Sequence, residues 1–187
     1  MKYTIGFDVG SSSVKIALVE AHSKKTIGVI TEPQEEMPIH AEKLNWAEQD
    51  PEMWWKYLCI GSQRILKENS LNSSQIIAVG ISYQMHGLVV LDKNKKVLRD
   101  SIIWCDSRAV QIGEKAANDI GEERFGSHLF NAPGNFTASK LKWVKENEPE
   151  IYSKVAYYMF PGDFIAYKLT GEIATTINGL SEGMLWD

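Results

Sequence analysis

Tyr3-Thr4-Ile5-Gly6-Phe7-Asp8-Val9-Gly10-Ser11-Ser12-Ser13-Val14-Lys15-Ile16-Ala17-Leu18-Val19 opens the chain and decides its fold. Residues 3–8 alternate with the two-residue period of a half-buried strand. Gly10-Ser11-Ser12 is a tight turn, and Val14 to Val19 read as a second strand in which Lys15 interrupts the apolar run. His22 to Lys25 form another turn and Ile27 to Ile30 a third strand. Three short strands joined by tight turns predict an antiparallel meander.

Working outward, Pro33 to Ala47 is polar and irregular. Asp50-Pro51-Glu52 then carries the signals of a helix start: an N-cap carboxylate, Pro at the first helical position and an acid near the positive end of the dipole. Trp54, Leu58, Ser62 and Ile65 fall on one stripe, flanked by Trp55, Cys59 and Leu66, which predicts a helix packed on a sheet. Ile76 to Ile81 is rich in β-branched residues and reads as a central strand buried on both faces. Leu88 to Leu91 and Ser101 to Trp104 are further strands, with Asp92-Lys93-Asn94-Lys95 as the turn between them. From Ser107 to Lys168 the pattern is mainly helical. It is broken at Pro133-Gly134-Asn135, with Thr137 as the N-cap of a helix over 138–146, and restarts at Pro161-Gly162-Asp163, ending near Gly171. The order predicts an α/β chain with a mixed sheet.

Composition sets the outer bounds. The chain has 187 residues, enough for one ordinary domain. With 20 basic against 24 acidic residues it is mildly acidic, which argues against a polyanion-binding surface and hence against nucleic-acid partners. Lys24-Lys25 and Lys93 to Lys96 lie between apolar runs and read as solvated turns. No apolar run reaches the length of a membrane span, and the N-terminus lacks the apolar core of a signal peptide. Cys59 and Cys105 sit in apolar patterns and are expected to be reduced thiols of a cytoplasmic protein. The four histidines show no metal-ligand spacing, and no G-x-S-x-G elbow marks a serine hydrolase. The chain closes on apolar Met184-Leu185-Trp186 without a stop signal, so the expectation is a piece of a longer protein.

Three constellations can carry chemistry. In Asp8-Val9-Gly10-Ser11-Ser12-Ser13 a carboxylate ends a strand, and glycine and hydroxyls follow in a turn able to cradle phosphate oxygens. It is neither a P-loop nor a dinucleotide fingerprint, and by itself it is equally an ordinary hairpin turn. Gln84-Met85-His86-Gly87 ends the strand 76–81, where open α/β sheets place ligands. His86 can hydrogen-bond a hydroxyl and Met85 can supply an adaptable wall, or the histidine is simply a satisfied core residue. In Trp104-Cys105-Asp106-Ser107-Arg108 a strand hands over to a helix. Trp104 suits a sugar face and Asp106 suits hydroxyls, unless Asp106 or Ser107 is only a helix cap.

Together these stretches resemble the sugar kinases of the FGGY family, and within it the xylulokinases. The resemblance runs through Ile5 to Lys15, Trp46-Ala47-Glu48-Gln49-Asp50-Pro51-Glu52-Met53-Trp54-Trp55, Gln84 to Gly87, Ile103 to Arg108, Phe136-Thr137-Ala138-Ser139-Lys140-Leu141-Lys142-Trp143-Val144, and Pro161 to Phe164 with Leu169 to Glu172. It implies a ribonuclease-H-like domain of the actin/hexokinase superfamily over residues 1–187, incomplete at its C-terminal side and paired in the whole protein with a second, ATP-binding domain. It implies transfer of the γ-phosphoryl of Mg·ATP to D-xylulose, giving D-xylulose 5-phosphate. Asp8 would orient Mg²⁺, through water, and the phosphates. Gly10, Ser11, Ser12 and Lys15 would line the phosphate turn. Met85, His86, Trp104 and Asp106 would contact the ketose. The family's general base, an Asp in a Gly-Gly-Asp-Asn-type motif, has no counterpart in the chain. Asp163 matches a different block and is read as a helix cap. The alternatives are a kinase of gluconate, ribulose or glycerol, and a non-catalytic actin-like nucleotide-binding module. A surface left open near Met184 to Trp186 would favour homodimers of the isolated piece.

Overall fold

The computed structural model describes residues 1–129 and 131–186. Phe130 and Asp187 lie outside the described residues, and so does the expectation that rests on the chain end at Asp187. The chain divides into two units, Met1–Pro38 with Glu52–Gln84, and Ile39–Pro51 with residues 85–186.

The first unit is the meander with its covering helix. β1 (Tyr3–Val9), β2 (Val14–Glu20) and β3 (Thr26–Glu32) pair antiparallel, with Asp8 opposite Lys15 across the first hairpin. Along β1 the residues Tyr3, Ile5, Phe7 and Val9 are buried on one face, as the alternation requires. The helix α1 (Pro51–Glu68) lays Trp54, Leu58 and Ile65 on the sheet, all essentially without exposure. Each such side chain contributes about 1.5–3 kcal/mol. The middle of the stripe is Gly61 instead of Ser62: a Cβ at 61 would stand 2.3 Å from Ile16 Cδ1, so the glycine sets how closely helix and sheet approach. Arg64 ties the helix to β3 through Glu32 at 2.9 Å.

After a short 3-10 turn at Ser73–Gln75, β5 (Ile76–Tyr83) adds parallel to β1, giving the order β3-β2-β1-β5. This corrects the expectation of a central, doubly buried strand. β5 is an edge strand, with Ile77 57% and Val79 47% exposed. Composition reported the apolar character correctly but cannot say which neighbours a strand has.

The second unit is built from short pairings and helices. β4 (Glu48–Gln49) pairs with β7 (Ser101–Ile102), and β6 (Val89–Leu91) with β8 (Tyr157–Met159), all antiparallel. The helices are α2 (Val110–Ile120), α3 (Glu122–His128), α4 (Thr137–Asn147), α5 (Pro149–Tyr152), α6 (Pro161–Thr170) and α7 (Ile177–Glu182). Leu88, Val90, Ile102 and Val144 form its core, packed by Leu98, Leu141, Trp143 and Ile151. β8 interrupts the region read as helical from Ser107 to Lys168. Three residues are too few to show a period, and the β-prone Tyr157-Tyr158 pair finds an edge at β6. Thr137 is the first residue of α4, not its cap, and its hydroxyl lies 3.4 Å from the Gly87 carbonyl. Asp163 does serve the start of α6, accepting from the Phe160 N–H at 3.4 Å. No helix among the described residues is long and apolar enough to cross a membrane.

Candidate functional site

In the first unit the tight antiparallel hairpin collects every residue expected to handle phosphate. The Gly10 N–H donates to Ser13 O (3.0 Å), closing a turn over 10–13. Ser12 O accepts from the Met37 N–H (2.8 Å), so the turn is held from outside as well. Cross-strand pairing brings Lys15 Nζ to 3.6 Å from Asp8 Oδ2, with both side chains more than half exposed. An acid, a cation and a serine-rich turn therefore share one strand end. Among the described residues no group of three or more His, Cys, Asp or Glu side chains is placed to hold a metal. One exposed carboxylate beside a serine-rich turn still fits Mg²⁺. That ion keeps several waters and takes one or two carboxylates together with substrate phosphate oxygens.

In the second unit Met85 and His86 line a cleft of about 500 Å³ with Phe136, Asn178, Ser181 and Glu182. His86 has φ +60°, a left-handed conformation uncommon for a residue with a side chain. Such a conformation persists only where its surroundings over-determine it. Here three contacts do so. Lys140 Nζ donates to the His86 carbonyl at 2.7 Å. The ring Nδ1 pairs with the Glu182 carboxylate. The ring stands edge-on to Phe136, with centroids 4.3 Å apart. Gly87 follows because a Cβ there would lie 2.4 Å from Pro161 Cγ. Met85 is 56% exposed and adds an apolar wall.

The remaining two expected sugar contacts are not among the residues lining that cleft. Trp104 is about half exposed on the turn after β7. Asp106, expected to meet substrate hydroxyls, has no exposure in the structure. Its Oδ2 accepts from the Ala47 N–H (2.6 Å) and from Arg108 Nη2 (2.7 Å). Its Oδ1 accepts from the backbone N–H (2.9 Å) and Nε (3.0 Å) of Arg108. Arg108 reaches on to Glu48 at 2.5 Å and lies against two indoles, 3.7 Å from the Trp46 centroid and 4.8 Å from that of Trp143. Arg99 extends the network to Glu48 and, at 3.1 Å, to Glu148. Burial pushes the Glu148 carboxyl up, against the pull of Arg99. Asp106 is a clamp between the loop at 45–48 and the turn at 103–108.

Sequence reasoning missed Lys140 and Glu182. Lys140 had a signal: 137, 140 and 144 share the buried stripe of α4, and a lysine on such a stripe needs a partner. Glu182 had none, because nothing local to α7 shows that it meets His86.

A three-stranded meander, a crossover helix and a parallel fourth strand, with an acidic serine turn at the end of β1, define an actin-like α/β domain. Residues 3–187 match the FGGY family of carbohydrate kinases, N-terminal domain, and the chain belongs to that family. It is 36% identical over 180 residues to a xylulose kinase of Bacillus subtilis, covering 94% of this chain and 34% of that protein. Among solved structures it is similar to ligand-bound xylulose kinase from Lactobacillus acidophilus (TM-score 0.86, 25% identity, all of this chain and 38% of that one). It is equally similar to gluconate kinase from the same organism (TM-score 0.86, 25% identity, the same coverage). The chain thus spans about a third of the length of these relatives.

Proposed function

We propose that this chain is the N-terminal, sugar-binding part of an ATP-dependent kinase that phosphorylates D-xylulose at its 5-hydroxyl. The observation that carries the reading is His86, fixed by Lys140, Glu182 and Phe136 in a cleft with both polar and apolar walls. Sugar sites combine such a wall with a few fixed hydrogen-bonding groups. In this reading His86 hydrogen-bonds a ketose hydroxyl, and Met85 covers the carbon skeleton. The turn at Gly10, Ser11 and Ser12 receives the phosphates of ATP. Asp8 holds Mg²⁺ through water, and Lys15 steadies Asp8 and offsets phosphate charge. Bound magnesium would supply neutralisation of the charge spread over the transferred group. The open edge of β5 and the share of the relatives' length that is covered support a further domain in the working enzyme.

Binding tests this directly. D-xylulose at millimolar concentration should perturb the amide resonances of Met85, His86 and Gly87 in the 187-residue chain. His86→Ala should weaken the apparent affinity at least ten-fold, and an undiminished response in that variant would refute the assignment. The same chain should show no ADP release above the blank with xylulose and Mg·ATP, because no Gly-Gly-Asp motif supplies a general base. Measurable turnover would mean that a base exists within these residues.

A further inference from the structure

Fold likeness does not separate a ketose kinase from an aldonate kinase, since the chain matches a xylulose kinase and a gluconate kinase equally well. The charge of the cleft does separate them. Among the described residues its lining includes one carboxylate, Glu182, and no lysine or arginine. Glu182 is about one-third exposed, so it faces any occupant, while it also pairs with His86 Nδ1. The cation behind the ring is Lys140, which is fully buried and donates to the His86 carbonyl, out of reach of a ligand. The amides of Asn131 and Asn178 and the hydroxyl of Ser181 complete the polar rim, and all are neutral. A site meant for a sugar acid is best served by a cation, above all the charged fork of an arginine, against the carboxylate. This cleft presents a negative charge instead, and opposing like charges is an effective way to reject a competitor.

We infer that Glu182 is the specificity-determining residue of the cleft: paired with His86, it admits uncharged ketoses and polyols and excludes aldonates. This rests on the reading of the cleft as the sugar site. The pairing also fixes the ring. A neutral imidazole that carries its proton on Nδ1, the nitrogen facing Glu182, leaves Nε2 as its acceptor, the arrangement in which it accepts a hydrogen bond from a sugar hydroxyl.

Two measurements on the 187-residue chain decide the matter. Histidine-labelled protein at a pH where the ring is neutral should show His86 as the Nδ1–H tautomer in a long-range nitrogen–proton correlation. An Nε2–H tautomer would overturn the pairing without any ligand or variant being involved. Titration of the same signals should then give D-gluconate at least a ten-fold weaker affinity than D-xylulose, about 1.4 kcal/mol. In Glu182→Gln that gap should close to within three-fold, since glutamine keeps the shape and loses the charge. Equal affinity in the wild type overturns the selectivity and leaves the sugar site standing. A gap unchanged in Glu182→Gln removes Glu182 as its cause. No response to either compound, with the tautomer as stated, refutes the sugar-site reading and the selectivity with it.

Discussion

Arg108→Ala should destabilise the second unit by about 3–5 kcal/mol, the range for breaking a buried ion pair from one side. The guanidinium is about 1% exposed and Asp106 not at all. Removing the cation strands Asp106 in a site that water does not reach, and leaves Glu48 with Arg99 alone. It also uncovers Trp46 and Trp143, whose rings meet edge-to-face at 5.2 Å under the guanidinium. Cation–π contacts there add to the loss. Arg108→Lys should recover less than half of it, because a single ammonium cannot reach both carboxylates in the planar fork that arginine uses. Lys142→Ala removes a pair with Glu146 whose members are about half exposed, and should change stability by less than 1 kcal/mol. Urea denaturation followed by tryptophan fluorescence measures all three, through the shift in midpoint at constant slope. If Arg108→Ala stays within 1 kcal/mol of the wild type, the network is not what holds the loop at 45–48 to the turn at 103–108.

That network shows how far the sequence could be read. The stretches around Trp46, Asp106 and Trp143 were each recognisable as blocks, but their common purpose was not. Asp106 was assigned to substrate because a carboxylate suits hydroxyls and Trp104 nearby suits a sugar face. Only the tertiary structure shows the Ala47 N–H and the Arg108 side chain using both its oxygens. The meander was legible because period-two alternation and a Gly-Ser-Ser turn are local signals. The edge position of β5 was not, since strand order depends on partners far away in the chain. The cleft divides in the same way. Met85 and His86 stand in one short motif, whereas Glu182 reaches His86 from the far end of the unit. The sequence therefore located the ring but not the group that sets its proton.

Lys140 gives a strong pH dependence to expect at alkaline pH. The residue has no exposure, and burial pulls its ammonium down to about 8 from the usual 10.5, against the opposing pull of Asp106 and Glu182. Unfolding returns it to water. Between about pH 8 and 10.5 the unfolded chain then binds more protons than the folded one, so stability must rise with pH across that window. The gain is complete above the unfolded value and is lost as pH falls through the folded one. A difference of this size corresponds to about 3 kcal/mol. Lys140→Met should remove the rise. Below pH 8 methionine relieves a buried charge but leaves the His86 carbonyl without its donor, a cost of about 1–3 kcal/mol, so the two proteins should be nearly matched there. Towards pH 10 the wild type should pull ahead by about 2 kcal/mol, because the neutral amine still donates to His86 and no longer carries a desolvated charge. Urea midpoints of both proteins at pH 7.5, 9 and 10 test this. Other titrating groups are shared and cancel in the difference, so parallel curves would show that Lys140 keeps an ordinary ammonium. A diverging pair would identify this lysine as the buried cation behind His86, which the Glu182 carboxylate faces from the cleft side.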